Sequence, residues 1–192
     1  MNDSSAAILA AYCKANLRFL EADPQHGSHT LRLMSDATLE AIRSAGRLEW
    51  LPWAYVVEAA EALFRAAGSE DGVIELARRS LASTFDEPFF RPIISSGLVI
   101  LGRSPDRLAS WLPTAWKAVT RDAGKLEWSS EGETSGCLQW EGAPRSALES
   151  PIYPNAVAAS FYPLFDLTGT RGHIAPQIRG DVIVFSFTWG AL

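Results

Sequence analysis

The chain has 192 residues, room for one domain with a full hydrophobic core, because a domain of roughly 150–200 residues buries about 70% of its unfolded surface. A hydrophobic fraction of 47%, with seven tryptophans and nine phenylalanines, excludes extensive disorder, and a formal net charge of −5 with scattered basic residues is unsuited to general nucleic-acid binding. The first residues have no basic region, and no stretch of about 18 apolar residues follows, so the expectation is a cytoplasmic protein without signal peptide or membrane span.

The spacing of Ile8, Leu9, Tyr12, Leu17 and Leu20 predicts a first helix over Ser4–Ala22, ended before Pro24. Pro24 to Thr30 reads as a loop. Ser35 or Asp36 caps a short helix through Ala45, stopped by Gly46. Pro52 suits the first turn of a helix that runs through Val56, Val57, Ala60, Leu63 and Phe64 to Gly68. Ser69 caps the next, with Val73, Ile74, Leu76, Ala77 and Leu81 inward. A fifth helix is expected over Ile93–Leu101. A sixth starts at Asp106, with Leu108, Trp111, Leu112, Ala115, Trp116 and Val119 inward and Pro113 kinking or dividing it.

At Gly124 the period changes. Leu126 and Trp128 alternate with polar neighbours, Glu131-Gly132-Glu133 supplies a turn, and Cys137 to Trp140 resumes an extended run, which together predict a β-hairpin. Gly142 to Pro154 reads as a loop. Asn155 caps a last helix through Phe161 and Phe165 to Gly169, with Pro163 inside it. Val182 to Trp189 is a strongly apolar β-segment. The helix between hairpin and strand is a crossover that lets this strand join the hairpin's sheet. The expected fold is therefore α+β in a single domain, 1–192. A bundle of about six helices (1–124) precedes a hairpin, helix and C-terminal strand (125–192) that form a small antiparallel-containing sheet.

Phosphate-binding glycine loops and a Gly-x-Ser-x-Gly elbow are absent from the sequence. His26 and His29 stand three apart near Asp23, but no partner cluster for zinc accompanies them, so they read as solvated loop histidines and no metal is expected. Cys13 and Cys137 read as buried thiols. Glu58 with Glu61, and Glu131 with Glu133, fit a helix surface and a hairpin turn. The least implausible catalytic cluster is His173 with Arg171 and Asp166, His173 being placed in a polar turn before the last strand.

Aromatic residues carry the binding expectation. Buried indoles mostly build core, yet Trp116, Trp128, Trp140, Phe187 and Trp189 are also the residues that would line an apolar ligand pocket between sheet and helices. Both faces of the last strand are largely apolar. If its own helices leave either uncovered, a ligand, a protein partner or a second copy in a homodimer is the natural cover.

Three resemblances bear on function. Trp50-Leu51-Pro52-Trp53, Gly102-Arg103-Ser104-Pro105 ahead of a helix ending at Gly124, and the terminal Phe187-Thr188-Trp189 resemble a myxobacterial paralogous family of similar length and unknown function, which implies a bacterial source. Leu98 to Glu127 resembles the effector-binding domain of AraC-type regulators, without the helix-turn-helix pair that follows there. The closing topology is similar to that of haem-based nitric-oxide sensors. That family implies a proximal histidine and a Tyr-x-Ser-x-Arg motif, where this sequence reads Trp140-Glu141-Gly142-Ala143-Pro144-Arg145 and has no histidine between His29 and His173. No cofactor is expected. Together these features favour a non-catalytic regulatory or ligand-sensing module that binds a small apolar molecule or a protein partner. An enzyme using the His173 cluster and a structural subunit of an assembly are the alternatives.

Overall fold

The computed structural model describes residues 5–85, 102 and 104–191. A short strand β1 (Ala7–Leu9) opens the chain, and α1 (Ala10–Ala22), α2 (Gly27–Leu33) and α3 (Asp36–Ser44) follow. Next come β2 (Trp50–Pro52), α4 (Trp53–Ala67), α5 (Glu70–Phe85) and α6 (Pro105–Val119). The second part holds β3 (Thr120–Arg121), the hairpin β4 (Lys125–Gly132) and β5 (Ser135–Glu141), α7 (Arg145–Glu149), α8 (Tyr153–Phe161), α9 (Pro163–Thr168), β6 (Thr170–Arg179) and β7 (Val182–Ala191). The expected α+β order is present. The helix expected over Ile93–Leu101 lies outside the described residues.

Two antiparallel sheets organise the chain. A three-stranded sheet in the order β2-β1-β3 ties the start of the chain to the α3–α4 connection and to the end of the helical part, and a four-stranded sheet runs β4-β5-β7-β6. The last strand joins the hairpin's sheet as expected, pairing with β5 through Leu138↔Phe185 and Trp140↔Ile183.

Alternation places Leu126, Trp128, Leu138, Trp140, Ile174, Ile183, Phe185 and Phe187 on one face. The helices α8 and α9 cover this face, with Phe161 5.5 Å from Phe185 and Phe165 6.4 Å from Phe187, ring centre to ring centre. Glycine at two positions lets the aromatics lie flat against the sheet. A Cβ on Gly136 would stand 2.2 Å from the Trp128 ring, and one on Gly172 would stand 2.2 Å from the Phe165 ring.

Several local expectations change. The segment Ala7–Leu9 is a strand, not helix, because Ile8 pairs with both Leu51 and Thr120. The expected loop at Pro24–Thr30 contains the start of α2: Asp23 accepts from the His26 N–H at 2.8 Å and so begins that helix. The helix α6 continues through Pro113 as one element. The last helix is two, because Pro163 begins α9 as a new first turn. Thr170–Arg179 is an edge strand rather than a turn, which moves His173 onto β6; Pro176 is tolerated there because an edge strand does not need every N–H. The second face of β7 is not uniformly buried: Val184 is buried, but Ser186 and Thr188 face solvent. One covered and one wet face is normal for an antiparallel sheet.

Candidate functional site

The helix α4 is apolar over most of its circumference, and this sets up the site. Trp53, Val57 and Ala62 turn into the core, while Tyr55, Val56, Ala59, Ala60 and Leu63 remain half-buried. These half-buried residues form one wall of a cavity of about 140 Å³. The other walls come from Tyr12, Cys13, Asn16, Leu17 and Leu20 of α1, Met34 just after α2, Ile42 of α3, Val73, Ala77 and Ser80 of α5, and Ala156 and Ser160 of α8. A cavity of about 150 Å³ walled by aliphatic and aromatic side chains stays dry and accepts a benzene-sized guest.

Among the described residues the polar side chains of the wall are uncharged. The Asn16 side-chain NH2 donates to the Tyr12 backbone carbonyl at 3.1 Å, and its oxygen accepts from the Ser80 hydroxyl at 2.7 Å. The Ser160 hydroxyl donates to the Val157 carbonyl at 2.6 Å. Burial pushes the Cys13 thiol up to about 12. Burial also raises the Tyr12 phenol, against an opposing pull from Asn16. Both therefore stay protonated at neutral pH.

The five aromatics expected to line a pocket form two packed groups, with Trp140 and Phe187 buried and Trp116, Trp128 and Trp189 partly buried against the core, and the described wall of this cavity consists of other residues. Trp116 lies 4.9 Å from Trp140, and both stack around Trp53, with Tyr153 beside Trp53 and Trp140. Trp128 lies 5.2 Å from Phe187 and 6.4 Å from Trp189. Trp140 is fully buried, with its indole N–H donating to the Ala123 carbonyl at 2.7 Å, and the Trp128 indole donates to Asp106 of α6 at 3.0 Å. The signal for the true wall was the wide apolar arc of α4, which a single core-facing stripe does not need.

The three residues of the least implausible catalytic cluster have separate surroundings. Asp166 pairs with Arg78 at 2.9 Å, His173 lies 3.3 Å from the Tyr162 hydroxyl through Nδ1, and Arg171 is exposed on β6. The two glutamates of α4 serve packing. Glu58 accepts from the Ser35 N–H at 2.5 Å and from the Thr38 hydroxyl, and so holds the start of α3; burial opposes its ionisation, but these donors keep the carboxyl below its usual range. Glu61 accepts from Ser150 at 2.5 Å and pairs with Arg65. Neither His26 nor His29 lines the cavity. Among the described residues no group of three or more His, Cys, Asp or Glu is placed to hold a metal ion, and no helix is long and apolar enough to cross a membrane.

No family model matches the sequence, and no curated protein matches it. Solved structures do match in fold. An Fe(II) unliganded H-NOX protein from K. algicida superposes with a TM-score of 0.61 at 10% identity, covering 96% of this chain and 97% of that one. An oxygen-binding H-NOX domain related to soluble guanylate cyclases gives 0.56 at 8% identity, covering 91% and 90%.

That fold implies haem, and the residues here do not fit it. Haem iron is held by imidazole, thiolate, thioether paired with imidazole, or phenolate. Among the described residues the cavity has no histidine in its wall, and burial disfavours the ligating forms of Cys13 and Tyr12, which leaves Tyr55 as the remaining phenol there. Residues 86–103 contain no His, Cys, Met or Tyr. The volume of about 140 Å³ is also below the roughly 300–1,000 Å³ of pockets for drug-sized ligands, and a porphyrin is large for that class. This chain has the H-NOX (haem nitric-oxide sensor) fold, with a cavity whose described wall is mostly aliphatic and aromatic and holds no histidine.

Proposed function

We propose that the chain is a haem-independent ligand-sensing module and that its ligand is a small, largely apolar molecule held between α1, α4, α5 and α8. The observation that carries this reading is the cavity of about 140 Å³ with its mostly aliphatic and aromatic wall. The H-NOX fold of the neighbours, proteins whose names state iron and oxygen binding, supports a sensing role. A guest in the cavity touches four helices at once. It favours the packed arrangement over any in which those helices separate, and that difference in affinity is what a sensor needs.

A thermal-shift experiment tests the reading. Toluene at about 100 times its Kd should stabilise the fold by about 2.7 kcal/mol, which raises the melting temperature of a chain this size by roughly 5–10 °C. Ala156→Phe fills the cavity from α8 and should abolish the shift while the protein stays folded. If toluene, benzene and phenol all leave the melting curve unmoved, the reading fails. Titration with haemin, followed by absorbance, should yield no stoichiometric complex.

A further inference from the structure

The charge and hydrogen-bonding pattern of the cavity narrows the ligand class; this step rests on the cavity being the binding site. Among the described residues its wall contains no charged side chain. A charged guest would lose its hydration with no counter-charge from these residues to replace it, so the guest is neutral.

Asn16 then decides whether the guest carries a polar group. Its amide orientation is set by its neighbours, because the Tyr12 carbonyl can only accept and so must face the NH2, 3.1 Å away. The oxygen faces the Ser80 hydroxyl at 2.7 Å. A primary amide has two N–H donors and two lone pairs on oxygen. These contacts use one of each, and the amide also donates toward the Tyr12 phenol, so a half-buried Asn16 keeps an acceptor at the cavity wall. The Ser160 hydroxyl, whose proton goes to Val157, adds acceptor capacity from α8. A hydroxyl on the guest donates and so fits either of these acceptors. A wholly apolar guest leaves them unpaired and shuts out the water that would otherwise serve them, which lowers its affinity.

We infer that the natural ligand is a neutral, phenol-like or alicyclic alcohol of about benzene size, and that Asn16 is the residue that recognises its hydroxyl. Specificity then comes from Asn16 on α1, and affinity from the aliphatic and aromatic side chains of α1, α4 and α5.

The test compares phenol, toluene and benzoate by isothermal titration calorimetry on the full chain. Phenol and toluene have the same number of heavy atoms and differ by hydroxyl for methyl; benzoate adds a charge. Phenol should bind at least as tightly as toluene, and benzoate should not bind. In Asn16→Leu, phenol should weaken by roughly tenfold or more while toluene holds or tightens. Toluene binding tenfold tighter than phenol to the wild-type protein overturns the inference and leaves the cavity reading intact. Equal losses for both probes in Asn16→Leu also overturn it, as does benzoate binding as tightly as phenol. If no probe binds, the cavity reading fails and this inference with it. The wild-type ratio needs no variant, so it remains decisive even where Asn16→Leu does not fold.

Discussion

Trp140 and Asp23 show how differently two buried residues hold the fold. Trp140 is fully enclosed by Trp53, Trp116 and Tyr153 and donates its indole N–H to Ala123. Trp140→Ala removes a large packed ring and should cost about 3–5 kcal/mol, read as a fall in the denaturation midpoint. An unchanged midpoint would contradict the packing. Asp23 is held by charge. Its side chain is 1% exposed and pairs with Arg79 at 2.5 Å, while the His26 N–H donates to its other oxygen. Burial resists ionisation, but the His26 N–H and the Arg79 guanidinium outweigh it and hold the carboxyl below its usual range. The folded pKa is thus lower than the unfolded value of about 3.9. The stabilisation is complete above that value and disappears as pH falls through the lower, folded pKa. Because Arg79 is 34% exposed, solvent screens part of the pair, and Asp23→Asn should cost only about 1–2 kcal/mol at neutral pH. Below about pH 4 the two proteins should converge in urea unfolding. A difference independent of pH would show that the carboxylate is not the source.

Elements form where local sequence and neighbouring structure agree, and the four-stranded sheet displays both cases. The hairpin was legible because Leu126, Trp128, Leu138 and Trp140 alternate with polar residues, and the last strand because Val182–Trp189 is β-branched and aromatic. The strand β6 was not legible. Thr170–Arg179 carries glycine, proline and charge, and it becomes a strand because β7 offers it a ladder from Thr170↔Ala191 to Arg179↔Val182. The same holds for β1, whose residues fit a helical spacing but pair with two other strands. Gly172 belongs to this scale, since it is the place where α9 reaches the sheet: the Phe165 ring occupies the volume of the missing Cβ. Gly172→Ala must push that ring away and should destabilise by about 1–3 kcal/mol. The partner substitution Phe165→Leu should recover part of the loss when combined with it. Additive losses would show that the two residues do not compete for one space.

On the scale of the whole molecule, the cavity depends on helices far apart in the sequence. Ala60 of α4 and Ala156 of α8 both face it, so Ala60→Leu should act like Ala156→Phe and reduce toluene binding by at least tenfold. Filling empty apolar volume should leave stability unchanged or raise it, by up to about 1 kcal/mol if the new side chain fits without strain. Loss of binding together with a large loss of stability would indicate overpacking rather than occupation of the site. The apolar face of β7 is covered by α8 and α9 of the same chain, so that face gives no reason for a second subunit.

The sequence by itself determined the α+β class, most of the helices, the hairpin and the place of the last strand. These follow from periodicity, caps and β-branched content, which act over a few residues. It also showed that neither a histidine nor a Tyr-x-Ser-x-Arg motif stands where a haem sensor needs it. Only the tertiary structure decided which aromatic residues build core and which side chains face empty space. Trp140 and Tyr55 are both aromatic in the sequence, yet one is enclosed by three rings and the other lines a cavity. That difference depends on how closely α1, α4, α5 and α8 approach one another. Packing between distant segments sets this distance, and no local pattern encodes it.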